Sequence, residues 1–234
     1  MKHLILLHGA LGHTQNFDAL LPGLAKHFTV HRILFEGHGT SANFDAPLRI
    51  ESYVSQVQQY IGAHNLKDIH FFGYSMGGYV ALCYALQFPD RINSILTLAT
   101  KFDWTEESAR KESKMLNPIT IAEKVPKYAA QLAQLHGDEN WQQLLPAIAD
   151  MMIKLGKNPI LNSVTLPQIE CHVQVMVGDK DSMVTPEETL MVAKNIPDAK
   201  LAVLPNTKHP IEQIRHQLLL DLMSDFWQLK DLNY

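Results

Sequence analysis

The chain has 234 residues, of which 46% are hydrophobic, enough to form one domain with a substantial apolar core. Its 20 basic and 24 acidic side chains give a formal net charge of −4, and they form no basic cluster. This charge pattern argues against nucleic acid or an acidic membrane surface as a partner.

The first apolar segment, Leu4–Leu7, predicts a short strand that ends at His8-Gly9. An apolar run of about four residues is too short for the core of a signal peptide. No segment approaches the ~18–20 apolar residues that a membrane span needs. Cys83 and Cys171 lack CxxC spacing and are expected to be buried thiols in a reducing compartment. Together these features predict a cytoplasmic protein without a membrane span.

Strand-like and helix-like segments alternate along most of the chain. Such alternation predicts an α/β fold with a mostly parallel central sheet and helices on both faces. The predicted strands are Leu4–Leu7, Val30–Leu34, Ile69–Phe72, Ser94–Ala99, Val173–Val177 and Lys200–Leu204. The predicted helices lie near residues 15–27, 50–64, 77–88, 186–195 and 211–229.

Residues 103–160 interrupt this alternation and contain no convincing strand. We interpret them as a helical insertion, with residues 1–102 and 161–234 forming the core around it. Asp103 or Thr105 is expected to cap the first inserted helix, and Pro126 to open another.

The clearest inserted helix carries apolar residues at i, i+3, i+4 and i+7 spacing, with Gly156 offering a stop. Pro146 inside it implies a kink or an early helix start. The apolar stripe either packs on the core or lines a substrate pocket, and both are compatible. Its members are Trp141, Leu144, Leu145, Ile148, Met151, Met152 and Leu155.

The segment Gly73-Tyr74-Ser75-Met76-Gly77 is a G-x-S-x-G motif between a predicted strand and a predicted helix. In that context the serine of the motif is typically a nucleophile held in a strained turn, which requires small neighbours. The alternative is a glycine-rich turn with an incidental serine.

Other short motifs follow in a fixed order: His8-Gly9 after the first strand, Gly37-His38-Gly39 after the second, Gly178-Asp179-Lys180-Asp181 after the fifth, and His209 after the sixth. With this set the chain resembles the α/β-hydrolase superfamily, in particular small capped esterases and lactonases with a GYSMGG nucleophile elbow. The resemblance extends from His8 to His209. It implies the α/β-hydrolase fold, and residues 103–160 would be its helical cap.

The resemblance implies a catalytic triad of Ser75, Asp181 and His209, in the chain order that this fold requires. Histidine can accept the serine proton at neutral pH, and a carboxylate behind the imidazole holds its tautomer. The family pattern Gly-x-x-Asp points to Asp181. Asp103 is the second candidate for the acid, and Asp179 is the third because it resembles a residue that satisfies backbone N–H groups of the loop.

The backbone N–H groups of Ala10 and Met76 occupy the family's positions for the oxyanion hole, the pair of donors that binds the negatively charged oxygen of the intermediate. No cofactor is implied, and the histidines lack metal-binding spacing such as HExxH. Tyr79 stands where related lyases of menaquinone synthesis carry an arginine, which argues against that activity.

We therefore predict a serine hydrolase that cleaves a small or medium carboxylic ester, thioester or lactone through an acyl-enzyme. Its partner would be a small-molecule acyl substrate. An acyltransferase, a C–C bond hydrolase or lyase, and a non-catalytic receptor on the same fold are the alternatives.

Overall fold

Six strands form one sheet in the computed structural model, which describes residues 2–40 and 44–229. They lie in the order β2-β1-β3-β4-β5-β6, and each neighbouring pair is parallel. This confirms the predicted α/β class and all six predicted strands to within two residues at either end. The strands are β1 (His3–Leu7), β2 (Thr29–Ile33), β3 (Ile69–Tyr74), β4 (Ile92–Leu98), β5 (His172–Gly178) and β6 (Ala199–Leu204).

The central strands are apolar throughout because both faces of the sheet are covered. In β1, Ile5 and Leu7 face one core cluster, whereas Leu4 and Leu6 face the other. A strand places successive side chains on opposite faces, so a strand buried on both faces has a continuous apolar sequence.

Helices cover both faces, and the two core clusters show which helix covers which face. Helices α2, α3 and α8 contribute to the first cluster, and α1 and α9 to the second. In the described part of the chain, no helix combines the length and apolarity required to cross a membrane. Their bounds are α1 (Leu21–Leu24), α2 (Ile50–Ala63), α3 (Met76–Gln87), α4 (Glu106–Ser113), α5 (Pro118–Lys124), α6 (Pro126–His136), α7 (Asn140–Lys157), α8 (Pro186–Asn195) and α9 (His216–Trp227).

The strand order reverses direction at β1, which lies between β2 and β3. In an open parallel sheet, such a point leaves a crevice beyond the carboxyl ends of the strands, where ligands bind. The loops that follow β1 and β3 therefore meet at the position where this architecture places a site.

Helices α4 to α7 occupy the chain between β4 and β5, where the strand–helix alternation was predicted to fail. Thr105 caps α4 in a reciprocal capping box with Ser108, so Asp103 is not the cap. Pro126 begins α6, as expected. Helix α7 continues through Pro146, so it starts upstream of the proline and does not begin after it.

The apolar stripe of α7 divides between two clusters. Leu144, Ile148 and Met151 belong to the first core cluster, the one that also contains Ile5 and Leu7 of β1. Trp141 and Leu145 pack instead into a smaller cluster that α7 shares with α5 and α6, whose other members are Ile121, Ala129 and Leu132. The inserted segment thus contains apolar packing of its own.

The predicted division into a core and an inserted cap remains an interpretation of this arrangement. Of the residues assigned to the core, Met1, residues 41–43 and residues 230–234 lie outside the described part of the chain.

Two helical glycines give a matched test of the packing. A Cβ on Gly156 in α7 would lie 2.4 Å from the Ala109 Cβ of α4, whereas one on Gly62 in α2 would meet nothing within 4 Å. We expect Gly156→Ala to lower the free energy of unfolding by about 1–3 kcal/mol through overpacking. Gly62→Ala should raise it by up to about 1 kcal/mol, because alanine is the better helix former. Urea denaturation of both variants measures this, and equal effects would contradict the proposed close contact between α4 and α7.

Candidate active site

Ser75 lies in the sharp turn between β3 and α3, with φ = 52° and ψ = −118°. Residues other than glycine rarely adopt a positive φ, because this backbone conformation is strained. The strain is tolerated only where the surrounding structure enforces it. The surroundings here are tightly packed backbone. A Cβ on Gly77 would lie 2.0 Å from the Leu7 carbonyl oxygen, and one on Gly73 would lie 2.4 Å from the Gly78 Cα. The spacing of small residues in the motif therefore has a direct steric cause.

Hydrogen bonds hold the main chain of the turn. The Ser75 N–H donates to the Leu98 carbonyl at 2.8 Å. The Ser75 carbonyl accepts from the Gly78 N–H and from the Thr100 hydroxyl, each at 3.0 Å. The serine side chain is left half-buried at the edge of a cavity.

Asp181 and His209 come from the loops after β5 and β6 and meet directly. His209 Nδ1 lies 2.8 Å from Asp181 Oδ2. The Asp181 side chain is fully buried, and its Oδ1 accepts from the N–H groups of Met183 at 2.8 Å and Val184 at 3.0 Å. These donors orient the carboxylate towards the imidazole.

The two other candidate acids have different surroundings. Asp179 Oδ1 accepts from the Thr207 N–H at 3.1 Å and so ties the loop after β5 to the loop that carries His209. Asp103 is exposed and is not among the described residues that line the cavity. Its backbone N–H donates to Glu188. Of the three aspartates, Asp181 is the one the structure brings to His209.

Tyr74, the residue before the serine, also fixes the histidine loop. Its hydroxyl donates to the His209 carbonyl at 2.9 Å. Burial, followed by the nearby Glu212 carboxylate, raises the pKa of the Tyr74 phenol far above its ordinary value of 10, so the donor stays protonated.

Ala10 and Met76 both line the cavity beside Ser75. Met76 is the first residue of α3, where a backbone N–H has no acceptor within the helix. Ala10 sits in the turn that begins at Gly9, which is closed by the Gly12 N–H donating to the Gly9 carbonyl at 3.0 Å.

Two buried histidines hold this turn through hydrogen bonds to its carbonyl groups. His8 Nδ1 donates to the Gly9 carbonyl at 2.8 Å, while His8 Nε2 accepts from the Phe35 N–H. His136, at the end of α6, donates from Nε2 to the Leu11 carbonyl and accepts at Nδ1 from the Gly39 N–H, both at 3.0 Å. His136 thus joins the inserted helices to the loops after β1 and β2.

The sequence contained no sign of the His136 contacts. Its partners are 125 and 97 residues away in the chain, and no motif surrounds it. His8 and His38, from the motifs after β1 and β2, are both buried.

The cavity beside Ser75 and His209 is partly open to solvent, and the centre of a water molecule can occupy about 50 Å³ of it. Its lining is mostly apolar, with Ile50, Tyr79, Met151, Met152, Leu155 and Val184 among its members. It also contains Lys101 and Glu112, two charged residues that the sequence did not single out. The described residues contain no group of side chains able to hold a metal ion.

Comparison with known proteins identifies the family of the chain. A family model described as alpha/beta hydrolase fold matches residues 2–131. The chain is 24% identical to monoacylglycerol lipase ABHD6 of Bos taurus over 250 residues, which covers 95% of this chain and 74% of that protein. It is 34% identical over 98 residues to pimeloyl-[acyl-carrier protein] methyl ester esterase of Klebsiella pneumoniae, covering 42% of this chain and 36% of the esterase.

Among solved structures, a thermophilic esterase from Thermogutta terrifontis superposes with a TM-score of 0.78 at 21% identity. The match covers 97% of this chain and 90% of that one. At this identity the likeness is one of fold.

The buried histidines predict acid-sensitive stability. Burial lowers the pKa of His8 to about 3, lowers that of His38 well below 6.5 and lowers that of His136. Below pH ~6.5 the unfolded chain therefore binds more protons than the folded chain, so stability falls as the pH falls. Each histidine contributes a slope of up to about 1.4 kcal/mol per pH unit.

We expect the free energy of unfolding, measured by urea denaturation, to decrease from pH 7.5 to pH 5. His136→Gln should make this decrease shallower, because one titrating group is removed while an amide can still donate and accept hydrogen bonds. A variant with the wild-type slope would show that His136 does not titrate on unfolding.

Proposed function

The chain belongs to the α/β-hydrolase fold family and is an enzyme of that family, and we propose that it is a serine hydrolase acting through an acyl-enzyme on Ser75. Its substrate would be a small or medium carboxylic ester, thioester or lactone. The relatives named as lipase and esterase support ester hydrolysis in general terms.

The contact between His209 Nδ1 and Asp181 Oδ2, at 2.8 Å, carries this proposal. An ionised Asp181 carboxylate only accepts hydrogen bonds, so His209 Nδ1 carries a proton and donates it to that contact. His209 Nε2 then has a free lone pair that can accept a proton. A base in this tautomer can take the proton of a serine hydroxyl during attack. Ser75 and His209 line the same cavity, where an acyl carbonyl would lie between them.

In the proposed reaction, Ser75 Oγ attacks the acyl carbonyl while His209 Nε2 takes its proton. The oxyanion that forms is bound by the N–H groups of Ala10 and Met76. The intermediate then collapses, and His209 returns the proton to the departing alcohol or thiol. A water molecule, activated by the same imidazole, releases the acid from Ser75.

We also propose that residues 103–160 act as a cap over this site. Trp104, Met151, Met152 and Leu155 belong to that segment and line the cavity together with Ser75. An apolar lining of this kind suits the burial of acyl methylenes, each worth ~0.8 kcal/mol when enclosed.

Ser75→Ala is expected to abolish turnover, because it removes the nucleophile. The folded state should persist, since Ser75 is half-buried and its side chain makes no hydrogen bond within the described residues. Turnover is measured on p-nitrophenyl esters of increasing acyl length, beside lactones and thioesters. A fluorophosphonate probe should label the wild type and not the variant. Retained esterase activity in the variant, with an unchanged circular dichroism spectrum, would remove Ser75 from the proposal.

Asp181→Asn should lower kcat by ~10³–10⁴, because an amide no longer enforces the reactive tautomer of the imidazole. Asp179→Asn is the matched control, because an amide oxygen can still accept from Thr207 and the residue does not contact His209. Steady-state kinetics of both variants and of Asp103→Asn decide the assignment. Comparable losses for Asp179→Asn and Asp181→Asn would refute it.

A further inference from the structure

Glu112 is a buried carboxylate in the wall of the cavity. It lies on α4, its residue exposure is 5%, and it lines the same cavity as Ser75 and His209. It is the one acidic residue among the described residues that line this cavity. Helix α4 packs closely against α7, where Ala109 faces Gly156.

The carboxylate is not fully satisfied within the protein. Glu112 Oε2 is buried and has no hydrogen-bond partner among the described residues. Burying a polar group without a partner costs free energy, and buried carboxylates are normally paired for this reason. Glu112 lines the cavity, and a donor carried by a ligand would supply the partner that its Oε2 lacks.

Lys101 lines the same cavity but does not neutralise Glu112. Its Nζ donates to the Met183 carbonyl at 3.4 Å and lies 5.9 Å from the centre of the Trp104 ring. No ion pair joins Lys101 to Glu112 in the described part of the chain. Lys101 and Glu112 are therefore two polar side chains, not paired with each other, in an otherwise apolar wall.

We propose that Glu112 is a specificity-determining residue that selects esters carrying a second polar group, a hydroxyl or an ammonium, which donates a hydrogen bond to Oε2. This inference rests on the proposed ester hydrolysis. An unsubstituted aliphatic ester would leave Oε2 without a partner in the complex. The enzyme therefore binds the transition state of that ester less tightly than the transition state of an ester that carries the donor. Discrimination by a site built to accept a donor is characteristically strong.

The test compares matched ester pairs in which only the donor differs. One series places it on the acyl chain, with methyl alkanoates against methyl ω-hydroxyalkanoates and methyl ω-aminoalkanoates. The other places it on the alcohol, with alkyl butanoates against ω-hydroxyalkyl butanoates. The readout is the ratio of kcat/KM for the substituted ester to that for its aliphatic partner, from acid release.

The wild type should prefer a hydroxylated or aminated ester by at least tenfold at one chain length. In Glu112→Leu this ratio should fall to one or below. Glu112→Gln, which is nearly isosteric, should retain part of a preference for hydroxyl and lose a preference for ammonium. Glu107→Gln, an exposed carboxylate on the same helix, is the control and should leave the ratio unchanged.

A wild-type ratio near one in every pair, or a preference that survives both Glu112 substitutions, would overturn the inference while leaving ester hydrolysis intact. Methyl esters with an ω-carboxylate are assayed in the same acyl series. A preference for them that disappears in Lys101→Met would also overturn the inference, since the cation would then select the substrate. The absence of turnover on all esters together with absent fluorophosphonate labelling would instead refute the proposed function. In that case the Tm of the Ser75→Ala variant tests whether Glu112 binds the donor. The hydroxylated ester should raise this Tm more than its aliphatic partner does. The difference should be absent when Glu112 is also replaced by leucine.

Discussion

The close approach of three backbone segments, at the ends of β1, β3 and the start of α3, is the constraint on which the rest of the site depends. Gly77 lies against the Leu7 carbonyl, and Gly73 lies against Gly78, with no room for a Cβ at either contact. This packing holds Ser75 at positive φ and directs the first turn of α3 towards the cavity. The loops from β5 and β6 then need only bring Asp181 and His209 to the same edge of the sheet.

The hydrogen bonds around that edge connect loops that are distant in sequence. Asp179 ties the loop after β5 to Thr207, and Tyr74 ties the serine turn to the His209 carbonyl. His8 and His136 hold the turn that contains Ala10. Because most of these hydrogen bonds join two different loops, the neighbouring loops resist the displacement of any one of them. Preorganised donors are useful for catalysis because they need no reorganisation when charge develops.

The sequence predicted the fold and the candidate residues with local signals. Strands were visible as apolar runs, and the turn at Ser75 carried its own glycines, because these features depend on neighbouring residues. Glu112, Lys101 and His136 could not be found in this way, since their roles arise from contacts across the fold. The periodic apolar pattern placed Pro146 inside a helix, and α7 does continue through it. The packing of Leu144 and Ile148 in the core offsets the cost of the proline.

The small apolar cluster shared by α5, α6 and α7 has a consequence for how this architecture can diversify. A segment that packs partly on itself, and enters and leaves the sheet between β4 and β5, can be exchanged between relatives as a cassette without disturbing strand order. His136 sets a condition on such exchange, because the loops after β1 and β2 use it as both donor and acceptor. A transplanted segment must bring an equivalent side chain to that point, or the recipient must fill the gap with water. Recombination at this insertion is thus compatible with the strand order, but it is limited by the His136 imidazole and by Leu144, Ile148 and Met151, which belong to the main core.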